Sequence, residues 1–449
     1  MHQPLTDQPI STDTAPGSRE NLSAIKRWYL VFVMFFIAVT AQIDRQIMAM
    51  LAPQMKVDLH LSDEQIGVLL GFGFSLTYAF FAIFMAYLGD RFSRKKVLAG
   101  GLMLWSLLTA LCAMAGSFPA MLAARLGVGI GESVLTPTTQ PMVSSAFPTE
   151  KRAMPISLVV AGSPVGLVVA PILVGMIVHA MQGRTLSFGA MLPVVHGWQL
   201  AFIACGLLGL VALVLLLPLR EPRNRLGGRE LAATVPEAVG YFLRHKRYFG
   251  GIFICMPILA ISDYALIAWM PSYLARTFHL DARAIGLLSG SSFIPAAVIA
   301  PFIAAALGRY AARSPHHRIY FRIMLGLMPI TGLLIALPML MPTPLSATIA
   351  FAFPVSATMV VIAFSMINIQ QVVAPRYRSQ ASAVAQASFM LIGSGFGPTV
   401  AGVVATRVVG EGSLGLALLV CLAAFVPLSA IICFLALRDP RANPIDPDC

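Results

Sequence analysis

Five ionisable side chains stand inside long apolar runs of this chain: Asp44, Arg45, Arg125, Glu132 and Asp263. A charge at the centre of a bilayer costs about 2.5–3.5 kcal/mol on insertion scales, so each is a candidate for work that a neutral side chain could not do. Carboxyl groups and guanidinia held together in an apolar setting can take up and release a proton, or meet a charged substrate. Burial favours the neutral carboxylic acid, and a neighbouring cation favours the carboxylate. Arg125 and Glu132 are seven residues apart, two helical turns, and so share one face of a helix. Asp44 and Arg45 are adjacent, point about 100° apart and need different partners. The residues alone leave two readings open. Asp44 or Glu132 carries a proton while Arg45 or Arg125 supplies the opposing charge, or the groups form a static ion-pair set joining two helices. Asp44 stands close to the end of its apolar run, where protonation would follow the pH outside. Asp263 is either a second titrating group or a residue tolerated in a wet cavity.

The elements that must position these groups are membrane helices. Of 449 residues, 58% are hydrophobic and 11% are charged, with mean hydropathy +0.81. A soluble domain carries about 25% charged residues, so this chain has too few to cover a water-facing surface. Apolar runs of roughly 20 residues match the bilayer's hydrocarbon thickness when helical, and the ten-residue alternation of a barrel is not seen. The net charge of +12 is not a nucleic-acid footprint. Assigning alternate loops to one side places 24 of the 31 Lys and Arg there, five on the other side, and Arg45 and Arg125 within helices. That asymmetry orients membrane proteins with the basic side cytoplasmic.

Hydropathy predicts an all-α integral membrane protein of twelve spans in two pseudo-symmetric six-helix bundles, 28–218 and 248–437. A cytoplasmic linker at 219–247 joins them, and cytoplasmic tails occupy 1–27 and 438–449. The first tail is polar and rich in Pro, Ser and Thr, the composition of a disordered segment. Lys26 and Arg27 then lead into a run too long for a cleavable signal and more like a signal anchor. The halves match at an offset of 219 residues. Asp44 maps to Asp263 and His60 to His279, while Gly67 and Gly71 map to Gly286 and Gly290. Such parallel repeats place a substrate between the halves near the midplane.

Leu88-Gly89-Asp90-Arg91-Phe92-Ser93-Arg94-Lys95-Lys96, after the second span, resembles the loop signature of the major facilitator superfamily. Ala86 and Ser93 stand where that signature has glycines. Asp90 can face Arg94 at i+4 and the positive N-terminus of a neighbouring helix, so Asp90, Arg91 and Arg94 form a candidate cytoplasmic gate. Gln42-Ile43-Asp44-Arg45-Gln46 and Gly127-Val128-Gly129-Ile130-Gly131-Glu132-Ser133, with Leu219-Arg220-Glu221-Pro222 after helix 6, are similar to the Spinster family within that superfamily. The resemblance is strongest over about 40–225. It implies an alternating-access transporter in the cell inner membrane, moving an amphipathic lipid of lysophospholipid or sphingoid type with possible proton coupling. An aspartate–arginine pair in helix 1 also occurs in anion:cation symporters, which leaves proton-coupled symport of small organic anions as the alternative.

Gln42, Ser133, Tyr264, Trp269, Asn368 and Gln371 are candidates to line the cavity, although such groups also serve packing in membrane helices. His179 and His196 fall near a loop and read as interfacial. The six cysteines show no CxxC or Cys/His spacing, so no metal site, disulfide framework or cofactor is expected. No HExxH or nucleophile–base pairing indicates an enzyme. The expected partners are the bilayer, a small amphipathic substrate and protons, with no nucleic acid, and a monomer is expected.

Overall fold

The computed structural model describes residues 23–148, 151–181, 196–221, 235–314, 318–410 and 412–438. Among the described residues, twelve helices are long and apolar enough to cross a membrane: α1 (Ala24–Asp58), α2 (Asp63–Gly89), α3 (Arg94–Cys112), α4 (Phe118–Ala146), α5 (Ala153–Ala180), α6 (Gly197–Leu216), α7 (Lys246–Phe278), α8 (Ala282–Ala312), α9 (Ile319–Leu340), α10 (Pro344–Val372), α11 (Arg378–Val409) and α12 (Leu414–Leu437). No strand occurs among the described residues. Residues 1–22 and 439–449 of the expected tails, and 222–234 of the expected linker, lie outside them.

Helix pairing repeats with a step of six. In the first half α1 packs on α5, α2 on α4, and α3 on both α4 and α6; in the second, α7 packs on α11, α8 on α10, and α9 on both α10 and α12. A short helix, Val235–Arg244, follows the first half and fastens to the second. Its Tyr241 ring stacks on Tyr377 with centroids 4.1 Å apart, and its edge meets Phe249.

One expectation is corrected by helix length. The apolar run of α1 fades near residue 51, but the helix continues to Asp58 because its last turns find polar partners. Lys56 Nζ donates to Asp63 at 2.6 Å, and the Trp198 indole N–H donates to Asp58 at 2.7 Å. Asp44 is therefore in the middle of α1 and 1% exposed, far from the helix end that would track outside pH.

The halves are sealed together at the end opposite the basic loops, here called the far end. Two seams do this, α2 against α11 and α5 against α8, and both run over glycines. A Cβ added to Gly67 would lie 2.7 Å from the Pro398 carbonyl oxygen and 3.2 Å from Gly402 Cα. In the second seam a Cβ on Gly286 would strike the Pro171 carbonyl and lie 3.1 Å from Gly175 Cα. Gly67 and Gly286 are repeat mates, as are Gly71 and Gly290, which pack in the same way on Gly395 and Val168. His60 and His279, the other repeat pair, both adopt φ of 51°. This left-handed turn is uncommon for non-glycine residues, with His among the enriched exceptions. Each turn delivers a helix cap: Ser62 accepts from Gln65 N–H, and Asp281 accepts from Ala284 N–H.

Charge reinforces the seams. Arg276 of α7 forks onto Asp63 of α2 at 2.6 and 2.7 Å, and Arg407 of α11 forks onto Glu64 at 2.7 and 2.8 Å. His179 Nδ1 of α5 lies 3.1 Å from Asp281 of α8. Asp63 is wholly buried, and charge-assisted hydrogen bonds are the strong kind. Asp63→Asn keeps the shape and removes the charge, so it should weaken far-end closure by about 1.5–3 kcal/mol. The measure is labelling of a cysteine placed at Gln46 by a reagent applied from the far side. A labelling rate equal to that of the parent would refute the expectation.

Candidate functional site

Within the first half, α1 and α4 cross with their charges facing. Arg125 Nη1 lies 3.4 Å from Asp44 Oδ2, and the Thr109 hydroxyl of α3 donates to Asp44 Oδ1 at 2.7 Å. Arg125 and Glu132, two turns apart on α4, both face α1, and adjacent Asp44 and Arg45 take different partners. Arg45 Nε donates to Glu132 Oε1 at 2.5 Å, and its Nη2 reaches the same oxygen. Phe74 of α2 stands between the guanidinia, whose centres lie 5.4 Å (Arg45) and 5.6 Å (Arg125) from its ring centroid. The Tyr78 ring, 5.4 Å from that of Phe74, lies 5.0 Å from the Arg45 guanidinium. Cation–π contact of this kind strengthens when water is excluded.

The glycines of α4 explain how three helices come so close. A Cβ on Gly129 would lie 2.6 Å from the Phe74 carbonyl of α2, and one on Gly131 would lie 2.7 Å from Trp105 N of α3. Asp44, Arg125 and Glu132 are at most 2% exposed, whereas the Arg45 side chain retains 27%. Arg45 is the member of the quartet that reaches into open space. Arg125 Nε and Glu132 Oε2 are buried without a hydrogen-bond partner.

Two connected chambers lie between the halves. An outer one of about 580 Å³ is walled by α1, α2, α4 and α5 with α10 and α11, toward the basic end. An inner one of about 220 Å³ extends toward the sealed far end. Gln42, Arg45, Ser163, Pro164 and Met390 border both, so Arg45 sits at the junction. The outer chamber offers Thr136, Thr139, Gln140, Ser379, Ser382 and Gln386. The inner wall carries Ala49, Leu70, Phe74, Leu167, Ile267 and Met359, with Gln46, Arg125, Tyr264 and Ser394 among them. With the far end sealed and this cleft open at the basic end, access is from the basic side.

Gln42 borders both chambers and Tyr264 the inner one. Trp269 is fully buried and donates its indole N–H to the Pro398 carbonyl at 2.9 Å, and so anchors the α2–α11 seam. Asn368 accepts from the Tyr248 hydroxyl at 3.0 Å, and Ser133 donates back to the Ile130 carbonyl at 2.7 Å. Neither borders a chamber, and Gln371 is exposed. Asp263 is buried on α7 beside Thr358, with neither carboxyl oxygen in a hydrogen bond. In the loop after α2, the Asp90 side chain lies outside the described residues. Arg91 donates to Tyr87, and Glu221 accepts from Ser93 Oγ at 2.5 Å and from Arg94 N–H at 2.9 Å. Glu221 thus caps α3 from the end of α6, while Lys95 Nζ donates to the Leu217 carbonyl. Thr109, Phe74 and Tyr78 carried no sequence signal, because hydroxyls and aromatic rings are common in membrane helices and only the crossing of α1 to α4 selects these.

A sequence model of the Major Facilitator Superfamily matches residues 34–398. An MFS-type efflux pump of Mycolicibacterium smegmatis is 28% identical over 427 residues, spanning 94% of this chain and 95% of its own. A hexuronate transporter of Bacillus subtilis is 25% identical over 292 residues, 63% of this chain and 64% of its own. The crystal structure of a bacterial homologue of the human lysosomal transporter Spinster, inward-facing and unoccupied, aligns with a TM-score of 0.78 at 24% identity. That alignment covers 93% of this chain and 98% of the other, so the two share a fold.

Proposed function

The chain belongs to the Major Facilitator Superfamily and is a secondary transporter, and on that premise we propose that it carries an amphipathic lipid, of lysophospholipid or sphingoid type, in exchange for or together with protons. The observation that carries this reading is the position of Arg45. A guanidinium at the junction of an outer chamber rich in hydroxyls and amides and an inner one with the more apolar wall suits a ligand with an anionic head and a hydrocarbon tail. A phosphate accepts a forked pair of N–H groups from arginine, and the tail gains by leaving water for the apolar wall. Protonation of Glu132 would release Arg45 from its partner and free it for that head. Asp44 would hold Arg125 in the same manner. The loop charge bias supports an orientation in the inner membrane with the basic face and both termini in the cytoplasm.

A second reading is favoured by the hydroxyl and amide groups of the outer chamber, which suit a small polar anion such as a sugar acid. Uptake into proteoliposomes separates the two: a lysophospholipid against small carboxylates, each with and without a pH gradient. The lipid should be moved and should compete with nothing small and polar; carboxylate uptake without lipid uptake would leave the second reading. Glu132→Gln should flatten the pH dependence of transport while folding is kept. If Glu132→Gln and Asp44→Asn both transport normally at every pH, proton coupling at this site fails.

A further inference from the structure

At the basic end, where α1 begins and the α4–α5 connection turns, lies a separate cavity of about 470 Å³. Ala24, Arg27 and Trp28 wall one side, Phe147 and Pro148 the second, and Lys151, Ala153, Met154 and Pro155 the third. It shares no residue with the two transport chambers.

Its chemistry is that of an anion site left open. Arg27 Nε is buried and has no hydrogen-bond partner. Lys151 is exposed at the rim, and no carboxylate pairs with either side chain among the described residues. The 28-residue helix α5 starts here without a side-chain cap. Its would-be cap, Arg152, instead donates to the Phe147 carbonyl at 2.9 Å. Ala153 and Met154, whose N–H groups open the helix, line the cavity, so the positive end of the helix dipole lies there together with two cations.

The surroundings distinguish a lipid from a free ion. Trp28 is 43% exposed and packs edge-on against Phe147, with ring centroids 5.8 Å apart. Indoles of this kind sit at the headgroup level of a bilayer. Ile25 and Met154, beside the cationic residues, are 82% and 64% exposed. Such apolar groups flanking a phosphate site suit acyl chains, whereas free phosphate would leave them in water. Basic pockets between membrane helices are a known kind of headgroup site.

We propose that this corner binds the phosphate of an anionic phospholipid from the leaflet at the basic end, with Arg27, Lys151 and the start of α5 on the phosphate and Trp28, Ile25 and Met154 along the chains. The ligand would tie α1 to α5, the two helices that bring Gln42, Arg45 and Ser163 to the transport cleft.

The test is native mass spectrometry of the full chain in detergent, titrated with phosphatidylglycerol, with phosphatidylcholine or with inorganic phosphate. Phosphatidylglycerol should be retained in preference to phosphatidylcholine, and R27Q/K151Q should lower its retention about tenfold, the effect of 1.4 kcal/mol. Equal retention of both lipids, unchanged retention by the variant, or a displacement of the lipid by millimolar phosphate would each overturn the proposal. Should the double variant not fold, the unmodified chain still answers. Trp105, Trp198 and Trp269 are at most 2% exposed, so quenching by brominated lipid reports mainly on Trp28. Brominated phosphatidylglycerol should quench more strongly than brominated phosphatidylcholine at equal mole fraction, and equal quenching counts against the site.

Discussion

Arg125→Leu is expected to destabilise the folded protein by about 3–5 kcal/mol, the effect of removing one partner from a buried ion pair. Asp44 is 1% exposed and would keep only the Thr109 hydroxyl. The loss comes from the orphaned carboxylate rather than from the pair's own strength, since the pair is long at 3.4 Å. A second substitution that removes the orphan, Asp44→Asn in the same chain, should therefore restore most of the stability. Thermal unfolding in detergent, followed for both single variants and the double, gives the comparison. A leucine variant that melts with the parent, or a double variant no better than Arg125→Leu, would show that the pair is not what holds α1 to α4.

Gly67→Leu should impair transport by opening the far-end seam. The new Cβ would stand 2.7 Å from the Pro398 carbonyl oxygen, and that carbonyl is pinned by the Trp269 indole on its other side. Thr399 Oγ1 also donates to the Gly67 carbonyl at 3.1 Å, so neither helix of the seam has room to retreat. Far-end closure is lost, and the population shifts to forms open at that end. Transport should fall by at least about tenfold, corresponding to 1.4 kcal/mol or more against the closed form. A cysteine at Gln46 should become reactive to a far-side reagent. Gly100→Leu is the control, because nothing lies within 4 Å of its added Cβ. Normal uptake by Gly67→Leu would remove the glycine seam from the mechanism.

The helices were legible because a bilayer imposes length and hydropathy on each span separately, and the twelve spans need no knowledge of one another. The repeat was legible through polar and glycine residues in register, Asp44 with Asp263 and Gly67 with Gly286. What those glycines touch was not. The offset relates α2 to α8, whereas in space α2 lies on α11 and α8 on α5. Internal symmetry identifies equivalent positions, not neighbours. The same gap left the pairing of Asp44 open between two arginines, since the answer depends on the crossing of α1 over α4 and on a hydroxyl from α3. Trp269, Asn368 and Ser133 show the converse limit. A polar side chain in an apolar helix signals that it has a partner, and a backbone carbonyl or a tyrosine serves as well as a substrate. The overlong α1 had a simpler cause: its last turns leave the apolar run, yet Asp63 and Trp198 receive them.

The buried quartet contains two carboxyl groups and two guanidinia, so with all four ionised its sum is zero. Adding one proton makes it a unit cation within the membrane. A monoanionic cargo bound beside Arg45 would cancel that charge, and the loaded carrier would turn over without regard to voltage. A zwitterionic cargo would leave the unit charge in place, and the loaded carrier's reorientation would then carry current. Electrical recording from a planar bilayer could thus distinguish cargo classes by their charge alone, before any of them is identified chemically.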